Sequence, residues 1–178
     1  RIATLPFQLS DDHQVIANGT VTQTEERRHG VLRLEGDTLV VEHEGRSFPF
    51  RFPRQAAPPH LCIADYFRKK KDGGDVAGFF VATVGDRIGP AARELFGADR
   101  YHDYLMLHAF GVEVADALAE YWHETMRREL GIAGERPPSL SGYIAQEYRG
   151  SRYGFGYPSC PDLSAHLPVF ELLAPEKI

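Results

Sequence analysis

The sequence predicts an α+β fold: a twisted antiparallel β-sheet with helices packed on it, one of them a long amphipathic helix near residues 101–130. Three observations carry this. Alternating apolar residues and hairpin signals fill the chain to about residue 56. Three- and four-residue periodicity takes over after Gly85. Strands therefore come first and helices later, which argues against a doubly wound parallel sheet.

The elements follow in chain order. Leu5, Phe7 and Leu9 alternate with polar or proline positions, as in a half-buried strand. Asn18-Gly19 stands between two apolar segments and signals a two-residue hairpin turn. In "TLVVEHEGRSFPFRF", Leu39 and Val41 share one face of a strand, and Phe48, Phe50 and Phe52 share one face of the next. Glu44-Gly45 supplies the turn between them. Pro49 lacks an N–H, so its strand is expected at an edge or a bulge. "QAAPPH" breaks the pattern. The run "DVAGFFVATVG" predicts a strand buried on both faces and central in the sheet.

Pro90 marks a helix start. Leu107, Phe110, Val114, Leu118 and Tyr121 recur at three and four, predicting one apolar stripe along the long helix, with Gly131 as its stop. Ser139 is a candidate cap for a short helix in "SLSGYIAQEY" ending at Gly150, and Pro168 falls in the first turn of a last helix, "PVFELL".

Composition narrows the function. A formal charge of −5 over 178 residues, with no large Lys/Arg cluster, argues against a nucleic-acid partner. No apolar run approaches the length of a membrane span, so no membrane partner is expected. Two distant cysteines, Cys62 and Cys160, suggest a reducing, cytoplasmic setting rather than a disulfide scaffold. Eight histidines show no tight ligand spacing, and Cys-x-x-Cys is absent, so no metal site is predicted. Neither a phosphate-binding glycine loop nor a nucleophile elbow is present.

Two places invite a ligand. Asp65 interrupts the apolar "LCIADYF", either as a helix-capping residue or as a carboxylate awaiting an ammonium group. The segment "YRGSRYGFGYPSCPD", from Tyr148 to Asp162, holds Arg152, a planar fork suited to a carboxylate. Gly154 and Gly156 allow close backbone approach, and Tyr153, Phe155 and Tyr157 offer rings for a wall. Pro158 and Pro161 stiffen the loop. The competing reading is a loop packed by its own rings.

This loop resembles the Tyr-x-Gly-x-Arg-x-x-x-Gly-Tyr-x-x-Cys-Pro-[Asp/Glu] segment of the activation domain of cobalamin-dependent methionine synthase. Three further stretches resemble that family in the same order: "PRQAAPPHLCIADYF", "DVAGFFVATVG", and the long helical segment with "AEYWH". The resemblance spans roughly residues 50–178. It implies binding of S-adenosylmethionine for reductive reactivation, with its methyl group presented to cob(II)alamin and an electron from a flavodoxin-type donor. It further implies that the cobalamin-binding domain of the same enzyme is a partner, that cobalamin resides there, and that zinc is not held in this domain.

Matched position by position, Asp65 falls on the residue that holds the ligand's amino group and Arg152 on the one that holds its carboxylate. Gly154, Gly156 and Tyr157 fall on the ligand-lining positions. Glu147 matches an acid near the reacting end, and Asp116 stands where the family often has a second glutamate. The expected organisation is a divergent β-rich part at 1–56 and an S-adenosylmethionine-binding core at 57–178, one continuous domain truncated at its C-terminus. The family continues into a segment with a further ligand-contacting tyrosine. Residues 1–29 match nothing in it, and the chain, which starts at Arg1, reads as a piece of something longer. The alternative function is a non-catalytic docking module that binds the ligand poorly.

Overall fold

The structure is a computed structural model that describes residues 2–9, 15–17, 20–21, 31–68, 75–134, 137 and 139–175. The chain divides into two compact units, Ala3–Phe80 with Ser151–Ile178 and Arg1–Ile2 with Val81–Gly150.

The first unit carries the sheet. It includes a three-strand meander of β4 (Val31–Glu35), β5 (Thr38–His43) and β6 (Arg46–Arg51), each antiparallel to its neighbour. Alternation builds its core: Leu32 faces Val41, which faces Phe48, and Leu34 faces Leu39, which faces Phe50. Leu32, Leu39, Val41, Phe48, Phe50 and Phe52 are all buried, as the alternation predicts. The β5–β6 turn falls at Glu44-Gly45, where both residues take positive φ (50° and 74°), the geometry that matches a hairpin's twist. Pro49 stands on β6, which ends the strand path, so its missing donor disturbs no further ladder.

β1 (Ile2–Leu9) pairs with two further short strands. Both β2 (Val15–Ala17) and β3 (Thr20–Val21) pair antiparallel with β1, in a single register that runs from Leu9↔Val15 to Ala3↔Val21. Both segments thus run antiparallel to β1. Asn18-Gly19 itself lies outside the described residues. β2 continues to β4 through Ile16↔Val31.

β7 (Val76–Ala82) pairs with β1 and, among the described strands, with no other. The expectation of a central strand buried on both faces is therefore corrected. Only Phe79 in it is buried, and Gly78 is exposed. Its apolar character comes largely from Ala, Gly and Val, which fill a strand without requiring cover on both faces. Phe79 finds its cover on Phe50, with ring centroids 4.7 Å apart. The unit ends in α4 (His166–Leu173), which packs on β6 through buried Val169, Leu172 and Leu173. An Arg46–Glu171 ion pair joins the same two elements.

The second unit is helical. α1 (Ile88–Gly97), with Pro90 in its first turn, packs on α2 (Tyr101–Glu129). Ile88 presses on Gly111, where an added Cβ would meet it at 3.1 Å. The end of α2 is closed by Gly131 N–H to Arg128 O (3.0 Å) and Ile132 N–H to Arg127 O (2.9 Å), the paired bonds of a glycine-terminated helix. The long helix is as predicted, but its buried face is not. Phe110 and Tyr121 are each 62% exposed, whereas Gly111, Ala119, Trp122, His123, Met126 and Arg127 are buried. The covered stripe lies one residue, or about 100°, round from the predicted one. Its small residues admit α1, and its polar members face a partner described below.

α3 (Leu140–Ile144) is capped as expected, Ser139 Oγ accepting from Gly142 N–H at 3.4 Å. It stops well short of Gly150, because Gln146 turns to φ +53° and Glu147 N–H closes back on Gly142 O at 2.9 Å. No helix among the described residues is long and apolar enough to cross a membrane.

Candidate ligand-binding site

In the sheet unit, Asp65 lies in a 3₁₀ turn, Ile63–Tyr66, that follows the loop after β6. Phe52 and Cys62 draw the two ends of that loop together, the Cys62 thiol donating to Phe52 O at 3.2 Å. Gln55 N–H donates to Leu61 O and His60 N–H to Ala57 O, both at 2.9 Å. The apparent break "QAAPPH" is thus an ordered hook. It brings Arg54 onto Asp65: Nη1 donates to Oδ2, and Nη2 donates to Oδ1 at 2.8 Å. Asp65 makes no cap to its own turn, and its side chain remains 52% exposed.

The hydrogen bond from Arg54, and then its charge, hold the Asp65 carboxyl below the ordinary carboxylate range. The same pair raises Arg54 above its own ordinary value. Asp65 is therefore an anion near neutrality, with an outward face. Arg54 was not singled out from the sequence. The available signal was an arginine at the end of a core strand, next to a proline-rich loop short enough to return to an acid.

The loop after residue 150 has an internal frame. Cys160, a buried free thiol, donates to Gly154 O at 2.8 Å, and its carbonyl accepts from Gly156 N–H at 2.8 Å. Cys160 N–H in turn donates to Tyr157 O at 2.9 Å. Burial pushes the Cys160 thiol up, so it acts as a donor and not as a thiolate. Gly156 takes φ +93°, and a Cβ there would come within 2.6 Å of Leu163. The positive φ is what favours glycine there, since the exposed Leu163 side chain could give way. Gly154 sits against the Tyr157 ring, which a Cβ would meet at 3.0 Å.

Cys160 therefore gathers Gly154, Gly156 and Tyr157 into one tight turn. The three rings of this loop do not make one wall. Phe155 turns inward, onto Phe50 (centroids 6.0 Å) and His166 (5.6 Å), while Tyr153 and Tyr157 stay 46% and 66% exposed. Phe155 anchors the loop to the sheet, and Tyr157 remains available to a ligand. Arg152, half-buried, precedes this turn by two residues. Asp65 is paired with Arg54 and not with Arg152.

In the helical unit, Glu147 follows the α3 closure, is exposed, and lies against Gly142, where a Cβ would stand 2.9 Å from Glu147 Oε2. Asp116 is an exposed residue of α2. One turn further along the helix, Glu120 takes a hydrogen bond from the Tyr148 hydroxyl (3.0 Å) and lies 3.8 Å from Arg127 Nη2. The Arg127 guanidinium stacks 3.7 Å from the Tyr148 ring centre, and His123 meets the same ring edge-on at 5.6 Å. This cluster is the partner of the polar part of the buried face of α2.

Comparisons with known proteins give a consistent picture. Residues 33–178 match the family model described as vitamin B12 dependent methionine synthase, activation domain. The methionine synthase of Mycobacterium tuberculosis (strain ATCC 25618 / H37Rv) is 39% identical and that of Mycobacterium leprae (strain TN) 41% identical, each over 160 residues and 81% of this chain. The chain spans 13% of the length of those relatives. Among solved structures, the MetH reactivation domain bound to AdoHcy superposes with a TM-score of 0.66 at 27% identity, covering 85% of this chain and 51% of that one.

Proposed function

The chain belongs to the activation-domain family of vitamin B12-dependent methionine synthase, and we propose that it binds S-adenosylmethionine and orients its methyl group for reductive reactivation of the enzyme. The observation that carries this is the similarity to a reactivation domain bound to AdoHcy, which is S-adenosylmethionine without the methyl group. The residues fit such a ligand. Asp65 offers an exposed, ionised carboxylate to the ammonium group, and Arg152 offers a fork to the carboxylate. Gly154 and Gly156 let the backbone approach the ligand, and Tyr157 lays an exposed ring beside it.

Cobalamin, carried on another domain of the enzyme, would supply a metal able to accept a methyl group, and a flavodoxin-type protein would supply the electron. This chain's part is positioning, which is the main need of a transfer that moves no proton. By the family resemblance, Glu147 and Asp116, both exposed acids of the helical unit, are the candidates that would favour a sulfonium cation electrostatically.

Calorimetric titration with S-adenosylmethionine tests the reading. Arg152→Ala should weaken binding by about 10- to 150-fold, the value of a hydrogen bond to a charged group. Equal affinity for the parent chain and Arg152→Ala would remove Arg152 from the site. A folded parent chain with no measurable affinity would favour a docking module over a ligand-binding one.

A further inference from the structure

We propose that Arg54 is the positioning residue of the ammonium subsite: it fixes the Asp65 carboxylate in place, has acceptors on both of its terminal nitrogens, and so leaves Asp65 to receive the ligand's cation. The inference rests on the reading of Asp65 as the ammonium partner and adds the residue on which that role depends.

The hydrogen-bond count around Arg54 makes the case. Nη1 donates to Asp65 Oδ2 and to His60 O, the latter at 2.9 Å. Nη2 donates to Asp65 Oδ1 at 2.8 Å and reaches Asp37 Oδ1 at 3.5 Å. A guanidinium carries four hydrogens on its two Nη atoms, and each has an acceptor here. Neither terminal nitrogen of Arg54 is therefore left over for an anionic ligand. The carboxylate is in the opposite condition. Each of its oxygens accepts one bond from Arg54 and keeps a further lone pair. With half the side chain exposed, those lone pairs are open to a donor.

The local charge points the same way. Asp37 and Asp65 flank one arginine, so the trio carries a net charge of −1. An ammonium brings it to neutrality, whereas a carboxylate or phosphate would raise the imbalance. The fork also restricts the aspartate beforehand. A lone exposed aspartate loses rotamer freedom when it binds a ligand, and an aspartate already held by two parallel bonds has lost it on folding. Arg54 is in turn held by the ordered hook of residues 54–62 and by Asp37. The latter stands in the β4–β5 turn, tied to the strand end by Phe52 N–H to Asp37 O at 2.8 Å. Lysine could keep the charge at position 54, but one ammonium nitrogen cannot reproduce two parallel bonds.

The test compares S-adenosylhomocysteine with its analogue lacking the amino group, by calorimetry on the full chain. The variants are Arg54→Lys, Arg54→Ala and Asp65→Asn, with thermal melting as the folding control. Arg54→Lys is expected to weaken S-adenosylhomocysteine about tenfold, the worth of one charge-assisted hydrogen bond, and the analogue less than about twofold. A purely structural role would weaken both ligands alike, and that result would overturn the proposal. If Asp65→Asn weakens S-adenosylhomocysteine selectively and Arg54→Lys does not, the Asp65 assignment stands and the role of Arg54 falls. If Asp65→Asn leaves both ligands unchanged, the ammonium subsite itself is lost. Should Arg54→Ala fail to fold, the lysine variant still decides.

Discussion

Arg127 in the helical unit and Arg54 in the sheet unit each meet an acid, but water treats the two contacts differently. Arg127 is 3% exposed and lies under the Tyr148 ring, beside Glu120. Arg54 and Asp65 are 41% and 52% exposed. A buried cation depends wholly on its protein partners, because removing one leaves the other without solvent to replace it. An exposed pair contributes little to stability, since water substitutes for either member. The comparison separates structural charge from available charge. The geometry of the sheet-unit pair makes sense as a prepared anion, and that of the helical-unit cluster as a fastening for the chain around Tyr148.

The largest expected effect is on the buried side. Arg127→Ala removes the cation that Glu120 and Tyr148 share, together with the packing of the side chain on Gly150. A cost of about 3–5 kcal/mol is expected for breaking a buried pair from one side. Chemical denaturation measures it. A loss below about 1 kcal/mol, typical of a surface ion pair, would abolish the distinction between the two arginines.

A smaller change sharpens the same contrast. Tyr148→Phe keeps the ring under Arg127 and deletes only the hydroxyl that donates to Glu120 at 3.0 Å. The expected cost is about 1 kcal/mol, that of an ordinary hydrogen bond. If this variant costs as much as Arg127→Ala, the hydroxyl rather than the stacked guanidinium holds the cluster together.

What could be read from the sequence follows the same division between local and distant partners. The β5–β6 hairpin was legible because its partners are close in sequence: Leu39 and Phe50 alternate in register, and Glu44-Gly45 sets the turn. The caps at Ser139 and Gly131 were legible for the same reason. The buried face of α2 was not. A sequence stripe ranks residues by hydrophobicity, and it passed over His123 and Arg127, whose burial depends on a tyrosine about two dozen residues away. Phe155 looked like part of a ligand wall and instead packs on Phe50, a contact that spans most of the chain. Within the candidate site the acid was visible and its arginine was not. Asp65 interrupts an apolar run, whereas Arg54 stands among prolines and alanines with nothing local to mark it.

The smallest effect concerns pH, and it belongs to the exposed pair alone. Arg54 lowers the Asp65 carboxyl below its ordinary value of 3.8 in the folded state, and Asp37 also faces Arg54. A carboxyl whose folded value is depressed stabilises the fold fully at pH above its unfolded value, and the stabilisation disappears as pH falls through the folded value. The stability difference between the parent chain and Arg54→Ala should therefore be constant from about pH 5 upward and shrink below about pH 4. Asp162, also lowered by its bonds to Ser164, is present in both proteins and cancels in the difference. Added salt should reduce the difference near neutrality, because the pair is open to solvent. A difference that grows on acidification would mean that Arg54 acts through some group other than the Asp65 carboxylate, and the exposed pair would no longer be the prepared anion that sets it apart from the buried cluster.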